Sequence, residues 1–285
     1  MTLNIDQSTC IKCRKCIHVC TSRIFRQTIS TAEIELLRIT KCVQCGLCVA
    51  VCPTHSINHS HFPVEKVRPI DTHRLPSPDQ ILLLIRSHHV NRTFIKGPVP
   101  DQMLDMILEA ASRTPPTSRQ RGVGFTLVTN REILQQISAI TIDTLFSRAR
   151  KTTYPLIKPL VQKTNPSWYS FMRNIVNMKR LFETGQDKVL KGASAVIFIH
   201  ARDNARFGNQ DCNLAYQTAS LMAESLGIGH FYTSFVCLGT KEDKKQRINR
   251  LLGIDGVIHA GMALGMPAFK IPNYIEKSDV VVNRI

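Results

Sequence analysis

The apolar positions of the chain change period several times. Pro100-Asp-Gln opens a segment with Met103, Leu104, Ile107, Leu108 and Ala111 at helical spacing, which predicts an amphipathic helix. Pro78-Asp-Gln opens a shorter apolar helix, Ile81 to about Ser87. Phe125–Thr129 and Ala195–Ile199 are β-branched or aromatic runs of strand length. Ala215 to Leu226 reads as a buried helix stopped by Gly227, and Val257–Leu264 as a closing strand. Helices and strands interleave without a βαβ repeat, so the expected class is α+β. Before this region, residues 58–80 are rich in Pro, His and charge and read as an extended linker. The expected division is 1–60, a linker 61–78, and 79–285. His59 and His61, in a polar linker, read as solvated rather than as metal ligands.

Residues 1–60 are organised by cysteine. Cys10, Cys13, Cys16 and Cys20 have the spacing C-x2-C-x2-C-x3-C, and Cys42, Cys45, Cys48 and Cys52 repeat it, followed by Pro53. This is the bacterial ferredoxin run for a [4Fe–4S] cluster, whose fourth cysteine ligates the other cluster. The expected ligand sets are therefore Cys10, Cys13, Cys16 and Cys52, and Cys42, Cys45, Cys48 and Cys20. Zinc prefers two separated ligand pairs and fits the spacing badly. The segment resembles a two-[4Fe–4S] ferredoxin throughout, with Thr21 where that family often has proline.

The formal charge of +16 changes the picture of partners rather than of fold. Residues 1–60 hold seven Lys or Arg against three acids, and Lys12, Arg14 and Lys15 flank the first cysteine run. A basic surface there would steer an acidic electron donor such as a ferredoxin or flavodoxin. No apolar run reaches membrane-span length, and the polar N-terminus does not read as a signal peptide. The expected location is the cytoplasm, where thiols stay reduced.

Residues 75–277 carry a second resemblance. Leu75-Pro-Ser-Pro78 and Ile85-Arg-Ser-His-His-Val-Asn-Arg-Thr-Phe94 look like the opening of the nitroreductase family. Pro98-Val99, the helix after it, Gly192–Ile199, Ala223-Glu-Ser-Leu-Gly-Ile-Gly229 and Ala263-Leu-Gly-Met-Pro267 follow in family order. The chain thus resembles a ferredoxin–nitroreductase fusion: a small two-cluster ferredoxin-like domain, then an FMN-dependent nitroreductase-like domain.

The resemblance implies FMN bound at the interface of an intertwined homodimer. By position His88, His89, Val90 and Arg92 would meet the ribityl-phosphate, helped by Lys277 or Lys270. Thr233, Ser234 and Phe235 would lie near the reactive edge of the ring, and Arg119 falls where the family has an asparagine. His88 and His89 replace an arginine pair and Val90 a serine, and histidine is the weaker phosphate partner at neutral pH. Chemistry would run through the flavin, so no catalytic side chain is expected. The implied activity is reduction of an electron-poor small molecule, such as a nitro compound, quinone or enone, with NAD(P)H or a ferredoxin as donor. The alternative is an adaptor that passes electrons to a partner protein.

Residues 145–191 hold ten Lys or Arg against two acids, with Trp168, Tyr169, Phe171 and Phe182 interleaved. They read as a basic insertion forming a pocket lid or dimer arm rather than a nucleic-acid surface. Cys212 near a helix start and Cys237 in a strand read as small buried hydrophobes. Gly122-Val-Gly124 lacks the third glycine of a dinucleotide fingerprint.

Overall fold

The computed structural model describes residues 1–115, 122–152, 154–276 and 281–285. Contacts divide the chain into two units, Met1–Pro76 and Ser77–Ile285.

The first unit is built from two similar halves. Strand β1 (Leu3–Ile5) precedes helix α1 (Lys15–Val19) and hairpin strands β2 (Phe25–Arg26) and β3 (Glu35–Leu36). Helix α2 (Leu47–Val51) and strand β4 (Ile57–His59) complete it. Both helices start from a left-handed residue, Arg14 at φ 64° and Gly46 at φ 78°, and both end at a cysteine, Cys20 or Cys52. The β4 strand pairs antiparallel with β1, Leu3 opposite His59 and Ile5 opposite Ile57. Strand alternation then turns Ile57 and His59 inward and Asn58 outward. His59 is 3% exposed, so the expectation of a solvated linker histidine fails. The stretch expected as linker also supplies Phe62, whose ring lies over Gly46. The apolar core is small: Leu3, Ile24, Phe25, Ile34, Val49 and Ile57, with Cys16 and Cys48 among them.

The second unit opens with α3 (Pro78–Ser87), started by a capping box between Ser77 and Gln80 with proline at its first turn. Next come α4 (Asp101–Ser112), β5 (Val123–Val128), α5 (Arg131–Thr152), α6 (Lys158–Thr164) and α7 (Pro166–Glu183). The chain continues through β6 (Ala195–Ala201), α8 (Gly208–Ser225), β7 (Gly229–Tyr232), α9 (Ser234–Glu242), α10 (Arg247–Leu252) and β8 (Val257–Gly265). The sheet order is β5-β6-β8-β7, every pairing antiparallel. Both faces are covered. Ala195, Ile197 and Ile199 of β6 pack with α4 and α8, while Val196 and Phe198 pack with α5, α7 and α9. That is why β6 reads as an unbroken apolar run. The class is α+β.

Three differences from expectation follow from packing. Met172, Ile175 and Met178 of α7 are buried against α5, and Trp168, Phe171 and Phe182 pack on the same cluster. Trp168, Phe171 and Phe182 of the basic stretch therefore face the core, while Tyr154 is exposed. Cys237 lies on α9 rather than in a strand, and Cys212 lies in the first turns of α8. The helix expected from Ala215 begins seven residues earlier, at Gly208.

Gly256 tests the turn into β8. Its φ of 136° is one that L side chains rarely adopt, and a Cβ there would overlap the Ala201 carbonyl oxygen. Backbone cannot rotate away, so Gly256→Ala should lower the stability of this unit by about 2 kcal/mol. A fall in the urea midpoint at unchanged slope would show it.

Candidate cofactor sites

The helices of the first unit distribute the eight N-terminal cysteines between two cavities. One is lined by Cys20, Cys42, Cys45 and Cys48 together with Ile24 and His59. The other is lined by Cys10, Cys13, Cys16 and Cys52 together with Ile5, Ile34 and Ile57. Each five-residue helix carries its fourth cysteine out of the cavity its first three line and into the other. All ten cysteines are free thiols. Burial pushes Cys16 and Cys48 up to about 11, with neighbouring thiols adding to the effect. Such sulfurs become thiolates most readily when a cation compensates them. Among the described residues no three His, Cys, Asp or Glu side chains are grouped for a single ion. Four sulfurs instead ring each cavity, which fits a multinuclear cluster. Backbone N–H groups point at the ring: Gln44 donates to Cys42 Sγ at 3.4 Å and Ser56 to Cys52 Sγ at 3.3 Å.

In the second unit the segment after α3 runs beside the chain that follows β8. Ile95 N–H donates to the Met266 carbonyl at 3.0 Å and Ala268 N–H to the Thr93 carbonyl at 2.9 Å. The Asn91 amide reaches the Phe269 carbonyl at 3.4 Å. This pairing brings the 88–92 segment next to Lys270, which is exposed. His88 stacks on His230 of β7, ring centroids 5.1 Å apart. His89 N–H donates to the Glu224 carboxylate at 3.3 Å, and the His89 ring meets the Ser87 carbonyl. Glu224 also faces His230 Nε2 at 3.6 Å. Val90 and Arg92 are exposed.

Thr233, buried, donates its N–H to the Gly261 carbonyl at 2.8 Å. Ser234 and Phe235 form the first turn of α9, with Ser234 exposed. Phe235 stacks on Phe171 of α7, which continues to Trp168 under the Arg148 guanidinium. β7 thus runs from the His88 stack to the amino end of α9, and two of the expected flavin segments lie along one strand. Arg119 and Lys277 lie outside the described residues.

One group escaped the sequence reading. Lys191, just before β6, is held below its usual range by burial and by the like charges of Lys188 and Arg92. Repulsion of Lys191 by Lys188 and Arg92, partly offset by Asp187, marks a place that a further anion would relieve. The signal was there, Lys188-Val-Leu-Lys191-Gly192 at the entry to a buried strand, but two lysines in a basic stretch do not stand out.

Residues 85–266 match the nitroreductase family, and residues 9–57 match the 4Fe–4S dicluster domain. A search of curated proteins found no match. Among solved structures, an FMN-bound nitroreductase from Desulfitobacterium hafniense aligns at 20% identity and a TM-score of 0.53, over 72% of this chain and 97% of that one. An FMN-bound nitroreductase from Bacteroides fragilis aligns at 18% and 0.52, over 72% and 99%. An FMN-dependent nitroreductase from Clostridium difficile aligns at 18% and 0.51, over 73% and 100%. Identities this low establish a shared fold, while the family match spans well over half of the chain. The chain belongs to the nitroreductase family of oxidoreductases and carries a [4Fe–4S] dicluster domain ahead of its nitroreductase domain.

Proposed function

We propose that this chain is an FMN-dependent oxidoreductase that takes electrons in through two [4Fe–4S] clusters and reduces an electron-poor small molecule such as a nitro compound, quinone or enone. Cys10, Cys13, Cys16 and Cys52 would hold one cluster, and Cys20, Cys42, Cys45 and Cys48 the other. Bound FMN supplies the step between single electrons and a hydride equivalent. The observation that carries the flavin reading is the cationic group of Arg92, Lys188 and Lys191. It offers charge to a phosphate, and the first turn of α9, Ser234 and Phe235, offers backbone N–H groups to a ring edge. Lys270 stands on the chain paired with the 88–92 segment and adds to the same field.

The protein is read as a cytoplasmic homodimer. Ile81, Leu82, Leu83 and Ile85 of α3 are 45% to 56% exposed, and no residue of that helix is buried. A helix with that much apolar surface needs a partner, and a second copy supplies one. Among the described residues no helix is long and apolar enough to cross a membrane. Lys12, Arg14 and Lys15 at the first cysteine run favour an acidic electron donor.

The test is anaerobic purification followed by the visible spectrum, iron and FMN content, and turnover of a nitroarene with reduced ferredoxin or NAD(P)H. Clusters without flavin would sink the enzyme reading. Arg92→Gln is expected to weaken FMN binding at least about ten-fold, the worth of one charge-assisted contact, with the fold intact because Arg92 is exposed. Fluorescence titration of the flavin-free protein measures it.

A further inference from the structure

His59 is a buried polar side chain of the first unit that the cysteine pattern does not account for. It is 3% exposed on the inner face of β4 and lines the cavity of Cys20, Cys42, Cys45 and Cys48. Phe62 lies against its ring at 5.0 Å between centroids, and His61 meets it edge-on at 5.6 Å. Its Nδ1 accepts the backbone N–H of His61 at 3.1 Å. An acceptor nitrogen carries no proton, so the single proton of the neutral ring sits on Nε2. That nitrogen lies 3.6 Å from Cys42 Sγ.

We propose that His59 is a positioning residue that donates its Nε2–H to the Cys42 thiolate and raises the reduction potential of the cluster in that cavity. The inference rests on Cys42 being a ligand of that cluster. Reduction adds negative charge that is shared with the thiolate sulfurs, and hydrogen bonds to those sulfurs are a principal means of setting the potential. A donor locked by burial and by its own Nδ1 contact favours the more negative state, and more so in a low dielectric. The second cavity differs at this point. There Cys52 Sγ meets the Ser56 N–H at 3.3 Å and the Thr54 hydroxyl at 3.7 Å, with no histidine in the lining. Two cysteine sets of identical spacing therefore differ in the kind of side-chain donor, an imidazole N–H at Cys42 and a hydroxyl at Cys52, with Lys15 also in the lining of the second cavity.

The experiment uses the full chain with both clusters loaded, and a redox titration followed by electron paramagnetic resonance. His59→Phe keeps a ring against Phe62 and removes the donor, and His59→Gln restores an amide N–H at similar reach. One midpoint should fall in His59→Phe by about ten-fold in its equilibrium constant, about 60 mV at the one-electron conversion, and His59→Gln should recover part of it. Unchanged midpoints at full iron and sulfide content would overturn the proposal. If His59→Phe fails to hold its clusters, the native protein decides. With histidine labelled in nitrogen-15, hyperfine spectroscopy of the reduced protein should show a weakly coupled histidine nitrogen, and its absence overturns the proposal equally. A native chain without cluster iron would refute the ligand assignment and this inference with it, an outcome the iron count separates from the others.

Discussion

Replacing Cys20 with alanine should disable the cluster site of Cys42, Cys45 and Cys48 and leave its own sequence neighbours, Cys10, Cys13 and Cys16, loaded. The reason is geometric. Helix α1 carries the chain away from the first three cysteines, and Cys20 at its end lines the opposite cavity. Iron should fall from about eight atoms per chain to about four. Cys52→Ala should do the same to the other site. Single replacements alone do not reveal which cluster is lost, but pairs do. Cys20→Ala with Cys45→Ala strikes one site twice, so about four irons remain. Cys20→Ala with Cys13→Ala strikes both, and iron should vanish. Self-contained runs would reverse the two results. The second pair should also unfold the first unit, whose apolar core is only Leu3, Ile24, Phe25, Ile34, Val49 and Ile57. A core that small depends on its metal.

The cysteine arrangement was legible because coordination chemistry fixes the spacing. The central strands were legible too, since β6 is covered on both faces and needs no polar position. His59 was not. Its strand is three residues long in a stretch full of Pro, His and charge, too short to show alternation. Only pairing with Leu3–Ile5, more than fifty positions away, defines its inner face. The aromatics of α7 were ambiguous for a different reason. Their spacing suits a core-facing helix and an interleaved basic surface alike, and only the contact with α5 and α9 decides. His230 sits in Gly-His-Phe-Tyr, where a polar residue in a short strand has even odds of facing water. The flavin expectations on Arg119 and Lys277 fall outside the described residues. Those on His88, Thr233, Ser234 and Phe235 lie along β7 and its two ends, and His89 meets Glu224 of α8.

His230 should make the second unit acid-sensitive. It is 1% exposed, and neither ring nitrogen has a hydrogen-bond partner. Burial, reinforced by the neighbouring His88, pushes it down to about 4 from an ordinary 6.5. The unfolded chain takes up a proton below pH 6.5 and the folded one refuses it until about pH 4. Across that window the unfolded state binds more protons, so stability falls as the pH falls. The full window corresponds to at most about 3 kcal/mol, and the step from pH 7 to pH 5 to about 2 kcal/mol. Glu224, 3.6 Å from Nε2, favours the imidazolium and works against the effect, which is why the larger figure is a ceiling. His89 enters only through its N–H to the same carboxylate. Urea unfolding followed by Trp168, the one tryptophan of the chain and a residue packed on the core of this unit, reports the change. His230→Phe keeps a ring beside His88 and cannot take a proton, so it should lose less than half as much stability over the same step. Some slope should persist, because burial also lowers His200 and His259 in this unit. Equal losses in native and variant protein would assign the acid sensitivity to those two histidines instead.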